Sequence, residues 1–100
     1  MASADKLSHD QIAVKLAGLN GWNLRDERTI EKTYECGNFR NAIDFVSRVA
    51  DVAESLEHHP LIKVDGKRVT MQLSTHDVSG LSDMDFTSAV QYDGVLPARG

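Results

Sequence analysis

Apolar residues recur along this chain at two periods, one of three to four residues and one of two, and their succession predicts the architecture. Ser8 with Gln11 three positions on reads as a capping box. It opens a helix with Ile12, Leu16 and Leu19 on one side that ends between Gly18 and Gly21. Two strands follow over 22–25 and 29–36, flanking the turn-like Asp26-Glu27-Arg28, with Ile30, Tyr34 and Cys36 on one face of the second. After Gly37 and Asn38, Phe39, Ala42, Val46, Val49, Ala53 and Leu56 recur at intervals of three and four, joined by Ile43, Phe45 and Ala50. This is the strongest helical pattern in the chain. It must stop near His58, because Pro60 disfavours helical backbone in the residue before it and has no N–H to donate.

Asp65-Gly66 is a two-residue hairpin signal, read as the central pair of a type I′ turn with positive φ at both positions. It joins strands over 61–64 and 67–74. Val69, Met71 and Leu73 alternate with Arg68, Thr70 and Gln72, so one face rests on a core and the other is wet. Ser82 and Asp85 form the capping pattern of a last helix carrying Met84, Phe86, Ala89 and Val90. The predicted fold is α+β in two layers, α-β-β-α-β-β-α, with a four-stranded antiparallel sheet covered by helices on one face. The 100 residues suit a single domain, 1–100, with 1–7 and 94–100 expected as flexible tails.

Composition narrows the functional classes. Fifteen acidic against eleven basic side chains, with no basic patch, argue against direct nucleic-acid binding. No apolar run reaches the length of a membrane span, and residues 1–8 lack the apolar core of a signal peptide, so the expected location is the cytoplasm. Cys36 is the one cysteine, which excludes an internal disulfide and argues against a cysteine-based zinc site.

The chemistry worth following lies in His58, His59 and His76, which bracket the second hairpin; His9 is the remaining histidine. A neutral imidazole takes up or gives up a proton near pH 7 without environmental help. Glu54 stands four residues before His58, in hydrogen-bonding reach on a helix face, and a carboxylate there favours the protonated ring. The antiparallel return of the hairpin brings His76 back towards the His58-His59 corner. Plainer readings exist for each residue: Asp85 as a capping carboxylate, Glu54 as a solvated helix residue, His58 or His59 as a helix-terminal cation, and Trp22 as core packing.

Taken together, Glu54-x3-His58-His59-Pro60, His76-Asp77, Gly80-Leu81 and Asp85 resemble the signature of the pterin-4a-carbinolamine dehydratases. Upstream, Gly21-Trp22, the alternation of Ile30, Lys32 and Tyr34, then Phe39, Ala42, Phe45-Val46, Val49-Ala50 and Ala53-Glu54 match the same pattern, so the resemblance spans roughly residues 8 to 92. It implies removal of water from a 4a-hydroxytetrahydropterin to give a quinonoid dihydropterin, in tetrahydrobiopterin recycling, with neither metal nor organic cofactor. It also implies His58, His59 and His76 as acid, base or hydrogen-bond partners, Glu54 and Asp85 as orienting or pterin-binding carboxylates, and Trp22 as part of the pocket wall. In one place the chain departs from the family. An aromatic residue is expected shortly after Pro60, where this chain has Gly66 or Lys67, which bears on pterin affinity or oligomer contacts more than on proton chemistry.

Two other readings compete. A non-catalytic interaction protein of the same fold, a dimerisation cofactor of a transcription factor or an assembly chaperone, would use helix surfaces and has no need of the histidines. A three-histidine metal centre with Glu54 or Asp85 as fourth ligand is disfavoured, since adjacent histidines rarely point the same way and no HExxH-like spacing is present. The expected partners are a small pterin substrate and further copies of the chain, as a homodimer or homotetramer formed through strand edges or the long helix.

Overall fold

The computed structural model describes residues 5–96 and has the predicted α+β order. Helix α1 (His9–Ala17) begins at the Ser8 capping box. Ser8 Oγ accepts from the Gln11 N–H at 3.2 Å, and Gln11 Oε1 accepts from the Ser8 N–H at 2.8 Å. Strands β1 (Asn23–Asp26) and β2 (Thr29–Glu35) form the first hairpin. Asp26 Oδ1 accepts from the Arg28 N–H at its turn, at 2.8 Å. Helix α2 (Phe39–Leu56) starts at Asn38, whose side chain accepts from the Asn41 N–H. Strands β3 (Leu61–Asp65) and β4 (Arg68–Leu73) form the second hairpin, and α3 (Asp83–Val95) closes the fold from the Ser82 cap.

The strands pair antiparallel in the order β1-β2-β4-β3, leaving β1 and β3 at the edges. In the central pair Ile30 faces Leu73, Lys32 faces Met71 and Tyr34 faces Val69. Their apolar members join Phe45 and Val49 of α2 and Phe86, Ala89 and Tyr92 of α3 in the core. The opposite face is polar. Glu31 meets Gln72 at 2.8 Å, the Thr33 and Thr70 hydroxyls meet at 2.9 Å, and Glu35 meets Arg68 at 2.6 Å.

Energetics show which face sets the register. Fully burying a side chain such as Ile30 or Met71 contributes about 1.5–3 kcal/mol, whereas an exposed cross-strand polar pair contributes about 0.2–1 kcal/mol. A one-residue slip would turn Glu31, Thr33 and Glu35 inward, so burial decides.

Three local details differ from the sequence reading. Asp65 pairs with Arg68, so the central turn residues are Gly66 and Lys67, and only Gly66 has positive φ (58°). A single positive φ at the first central position is the requirement of a type II′ turn, not type I′. Order also reaches into both expected tails: Leu7 is buried and its N–H donates to the Leu81 carbonyl at 2.8 Å, while Gly94 and Val95 lie within α3. The parts of those tails at 1–4 and 97–100 lie outside the described residues. The third difference, at the end of α2, sets the geometry of the histidines.

Candidate active site

Helix α2 ends in a Schellman motif. Glu57 adopts the left-handed conformation (φ 53°), its N–H reaches the Glu54 carbonyl at 3.3 Å, and the His58 N–H reaches the Ala53 carbonyl at 3.1 Å. The chain therefore reverses before His58. That reversal takes His58 off the helical face it would share with Glu54, so the expected Glu54-His58 pair does not form. Instead, Glu54 Oε2 meets Nε2 of His59 at 2.7 Å, with both side chains mostly in solvent.

His58 turns inward to a carboxylate from the other end of the fold. Its Nε2 lies 2.7 Å from Oδ1 of Asp85, a fully buried residue in the first turn of α3. Asp85 Oδ2 accepts from the Thr75 hydroxyl at 2.8 Å and from the Ser82 N–H at 3.0 Å. One oxygen of Asp85 thus serves the helix cap while the other meets His58. The carbonyl of His58 accepts from the Tyr92 hydroxyl at 3.4 Å.

Thr75 also carries the third histidine. Its backbone forms an isolated antiparallel bridge with Gly80, closing a loop that contains a single 3₁₀ turn, His76–Val78. His76 is exposed on that loop, next in sequence to the residue bonded to Asp85. Gly80 lies against the side chain of Lys6, in the segment that hydrogen-bonds Leu81 through Leu7. His58 and Asp85 are in contact, His59 adjoins His58, and His76 adjoins Thr75. Two exposed imidazoles and one buried imidazole held by a carboxylate can both deliver and remove a proton. Among the described residues, no group of three or more His, Cys, Asp or Glu side chains could hold a metal ion.

Trp22, expected at the pocket wall, is buried against Tyr34. Its Nε1–H donates to Asp93 Oδ1 at 3.2 Å, and its ring meets Tyr34 edge-on, with centroids 6.2 Å apart. Asp93 lies two turns beyond Asp85 on α3, about 12 Å along the helix. The same oxygen accepts from the Lys32 ammonium at 2.9 Å and the Tyr34 hydroxyl at 2.6 Å. Burial first, and then the hydrogen bond to Asp93, push the Tyr34 phenol far above its ordinary value of 10.0. Burial also raises Tyr92, helped by the charge of Asp85 and opposed by Ser88. Of the described cavities, the largest, about 460 Å³, lies between α1 and the first hairpin beside His9, away from His58, His59 and His76. Ile12, Ala13 and Leu24 line it together with His9, Asp26 and Glu27.

Thr75 and Asp93 escaped the sequence reading because their partners lie across a loop or the sheet, seven residues away at the nearest for Thr75 and far more for Asp93. Ser82 was legible only as a cap.

Residues 5–95 match the family model described as pterin 4 alpha carbinolamine dehydratase. A Roseiflexus protein provisionally named pterin-4-alpha-carbinolamine dehydratase is 41% identical over 93 residues, covering 93% of this chain and 99% of that protein. A Paracidovorax citrulli protein with the same provisional name is 40% identical over 95 residues, covering 92% and 82%. Among solved structures, the transcriptional coactivator/pterin dehydratase from Brucella melitensis superposes with a TM-score of 0.88 at 26% identity, over 93% of this chain and 100% of that one. A pterin dehydratase-like RuBisCO assembly factor of the alpha-carboxysome shares the fold, with a TM-score of 0.67 at 16% identity over 80% and 94%.

Proposed function

The chain belongs to the pterin 4 alpha carbinolamine dehydratase family, and on that premise we propose that it dehydrates a 4a-hydroxytetrahydropterin to the quinonoid dihydropterin by histidine acid/base catalysis. In this reaction the C4a–O bond breaks and the hydroxyl leaves as water after taking a proton. A neighbouring ring N–H gives up its proton, and its electron pair forms the new C=N bond. One group must therefore donate and another accept.

The observation that carries this reading is the buried 2.7 Å contact between His58 Nε2 and Asp85. An imidazole backed by a buried carboxylate is suited to accept a proton on its other nitrogen, because the carboxylate stabilises the imidazolium that forms. We assign that step to His58. His59, backed by Glu54, and His76, on its loop, supply the proton to the departing hydroxyl and hydrogen bonds to the pterin. The test is His58→Ala in the dehydration assay. A kcat about 10²- to 10⁴-fold lower in a folded variant supports the assignment, and an unchanged kcat refutes it.

We further propose that the protein works in the cytoplasm as a homo-oligomer within tetrahydrobiopterin recycling. Phe39 and Ile43 on α2, and Leu61 and Val64 on the edge strand β3, are large apolar side chains left exposed on the single chain, which supports self-association. The same exposed side chains favour a second reading, an interaction protein that recruits another macromolecule. A variant that loses dehydration but keeps partner binding separates the two.

A further inference from the structure

We propose that Thr75 and Ser82 are positioning residues that hold His58 in its Nε2–H tautomer, leaving Nδ1 as the lone-pair nitrogen offered to the pterin. The catalytic consequence rests on the reading of His58 as the proton acceptor; the tautomer itself does not.

The direction of each proton follows from groups that cannot reverse. The backbone N–H of Met84 donates to Ser82 Oγ at 3.2 Å. Thr75 donates its hydroxyl proton to Asp85 Oδ2 at 2.8 Å, so in the 2.6 Å contact between Thr75 Oγ1 and Ser82 Oγ the serine must be the donor. Asp85 Oδ2 also takes the Ser82 N–H at 3.0 Å. Two donors on one carboxylate oxygen keep the negative charge on Asp85, and Oδ1 then faces His58 Nε2 at 2.7 Å purely as an acceptor. The opposite tautomer would set a nitrogen lone pair against a carboxylate lone pair at that distance. The proton therefore sits on Nε2. Nδ1 has no hydrogen-bond partner among the described residues.

Burial makes this chain of bonds effective. Thr75, Ser82 and Asp85 are all buried, so water does not compete for the two hydroxyls. The Glu54–His59 pair is the internal contrast. Both of its side chains are solvent-exposed, and among the described residues no second donor orients the Glu54 carboxylate, so water competes for that contact as it does not for the His58–Asp85 contact.

Nitrogen-15 NMR of imidazole-labelled protein, at a pH where the histidines are neutral, reads the tautomer directly. Wild type should show His58 with a protonated Nε2 and a bare Nδ1. Thr75→Val leaves Oδ2 with the Ser82 N–H alone, so the carboxylate is free to turn Oδ1 off Nε2, and both nitrogens should move towards intermediate shifts as the tautomers exchange, whereas Thr75→Ser should restore the wild-type pattern. In Asp85→Asn, Thr75 and Ser82 still donate to the amide oxygen, which turns the NH₂ to His58 and inverts the tautomer to Nδ1–H. In the assay, Thr75→Val should lower kcat about 10- to 100-fold with KM unchanged. Wild-type shifts in folded Thr75→Val, or retention of Nε2–H in Asp85→Asn, would overturn the proposal. If Thr75→Val does not fold, Asp85→Asn alone decides. If wild type has no dehydratase activity, the functional reading fails while the NMR result still judges the positioning role.

Discussion

Removing the Asp85 carboxylate and removing the His58 imidazole have different expected consequences. Asp85→Ala strands three donors together, the His58 ring N–H, the Thr75 hydroxyl and the Ser82 N–H, in a site closed to water. Each unsatisfied buried group costs about 1–3 kcal/mol, so urea unfolding should show a loss above about 3 kcal/mol. His58→Ala leaves Asp85 two of its donors and should cost less stability, while removing the proposed proton acceptor. A His58→Ala protein less stable than Asp85→Ala would refute this ordering. A second residue-scale prediction concerns both tyrosines of the chain, whose phenols are raised by burial. Below the ordinary value of 10.0, Tyr34 is neutral folded or unfolded and its stabilising contribution is complete. Above it, the unfolded chain ionises first, so stability falls as pH rises towards the folded value. Phenolate absorbance should therefore stay low through pH 10 and appear together with alkaline unfolding; phenolate in a still-folded protein would contradict this. At this scale Glu54, Asp85 and the three histidines stand out in the sequence as candidates by residue type and spacing. Their pairing does not, since a left-handed Glu57 reassigns the carboxylates between His58 and His59.

Among the elements, the end of α2 and the start of α3 carry the site. Glu57 is a non-glycine residue in the left-handed region, at the position where a Schellman motif most often has glycine. Glu57→Gly should relieve the Cβ clash and stabilise the protein by about 0.5–1 kcal/mol, read as a higher unfolding midpoint. A lower midpoint would mean that the glutamate side chain makes a contact worth more than the strain. The helices and strands themselves were readable, since capping boxes at Ser8 and Ser82 and the alternation Val69-Met71-Leu73 are short-range signals. The hairpin turn was displaced by one residue because Asp65-Gly66 and Gly66-Lys67 both place a glycine where positive φ is needed, and the ladder between Asp65 and Arg68 chooses between them. Lys32 shows what alternation cannot supply. Its position beside Ile30 and Tyr34 put a charge on the core side of β2, and only the fold brings Asp93 to meet it.

For the whole molecule, the exposed apolar side chains on α2 and β3 make association the property to examine beside catalysis. Sedimentation should find more than one chain per particle, and Ile43→Asp should reduce it to monomer. A monomeric wild type would leave those side chains as a docking face for another protein. The central claim remains dehydration at the histidines. The most direct measurement is the disappearance of freshly generated 4a-hydroxytetrahydropterin, followed by ultraviolet absorbance with wild type, with a His58→Ala/His76→Ala double variant, and without protein. The account predicts acceleration by wild type and the uncatalysed rate with the variant. Well-folded wild type that leaves the uncatalysed rate unchanged would contradict it.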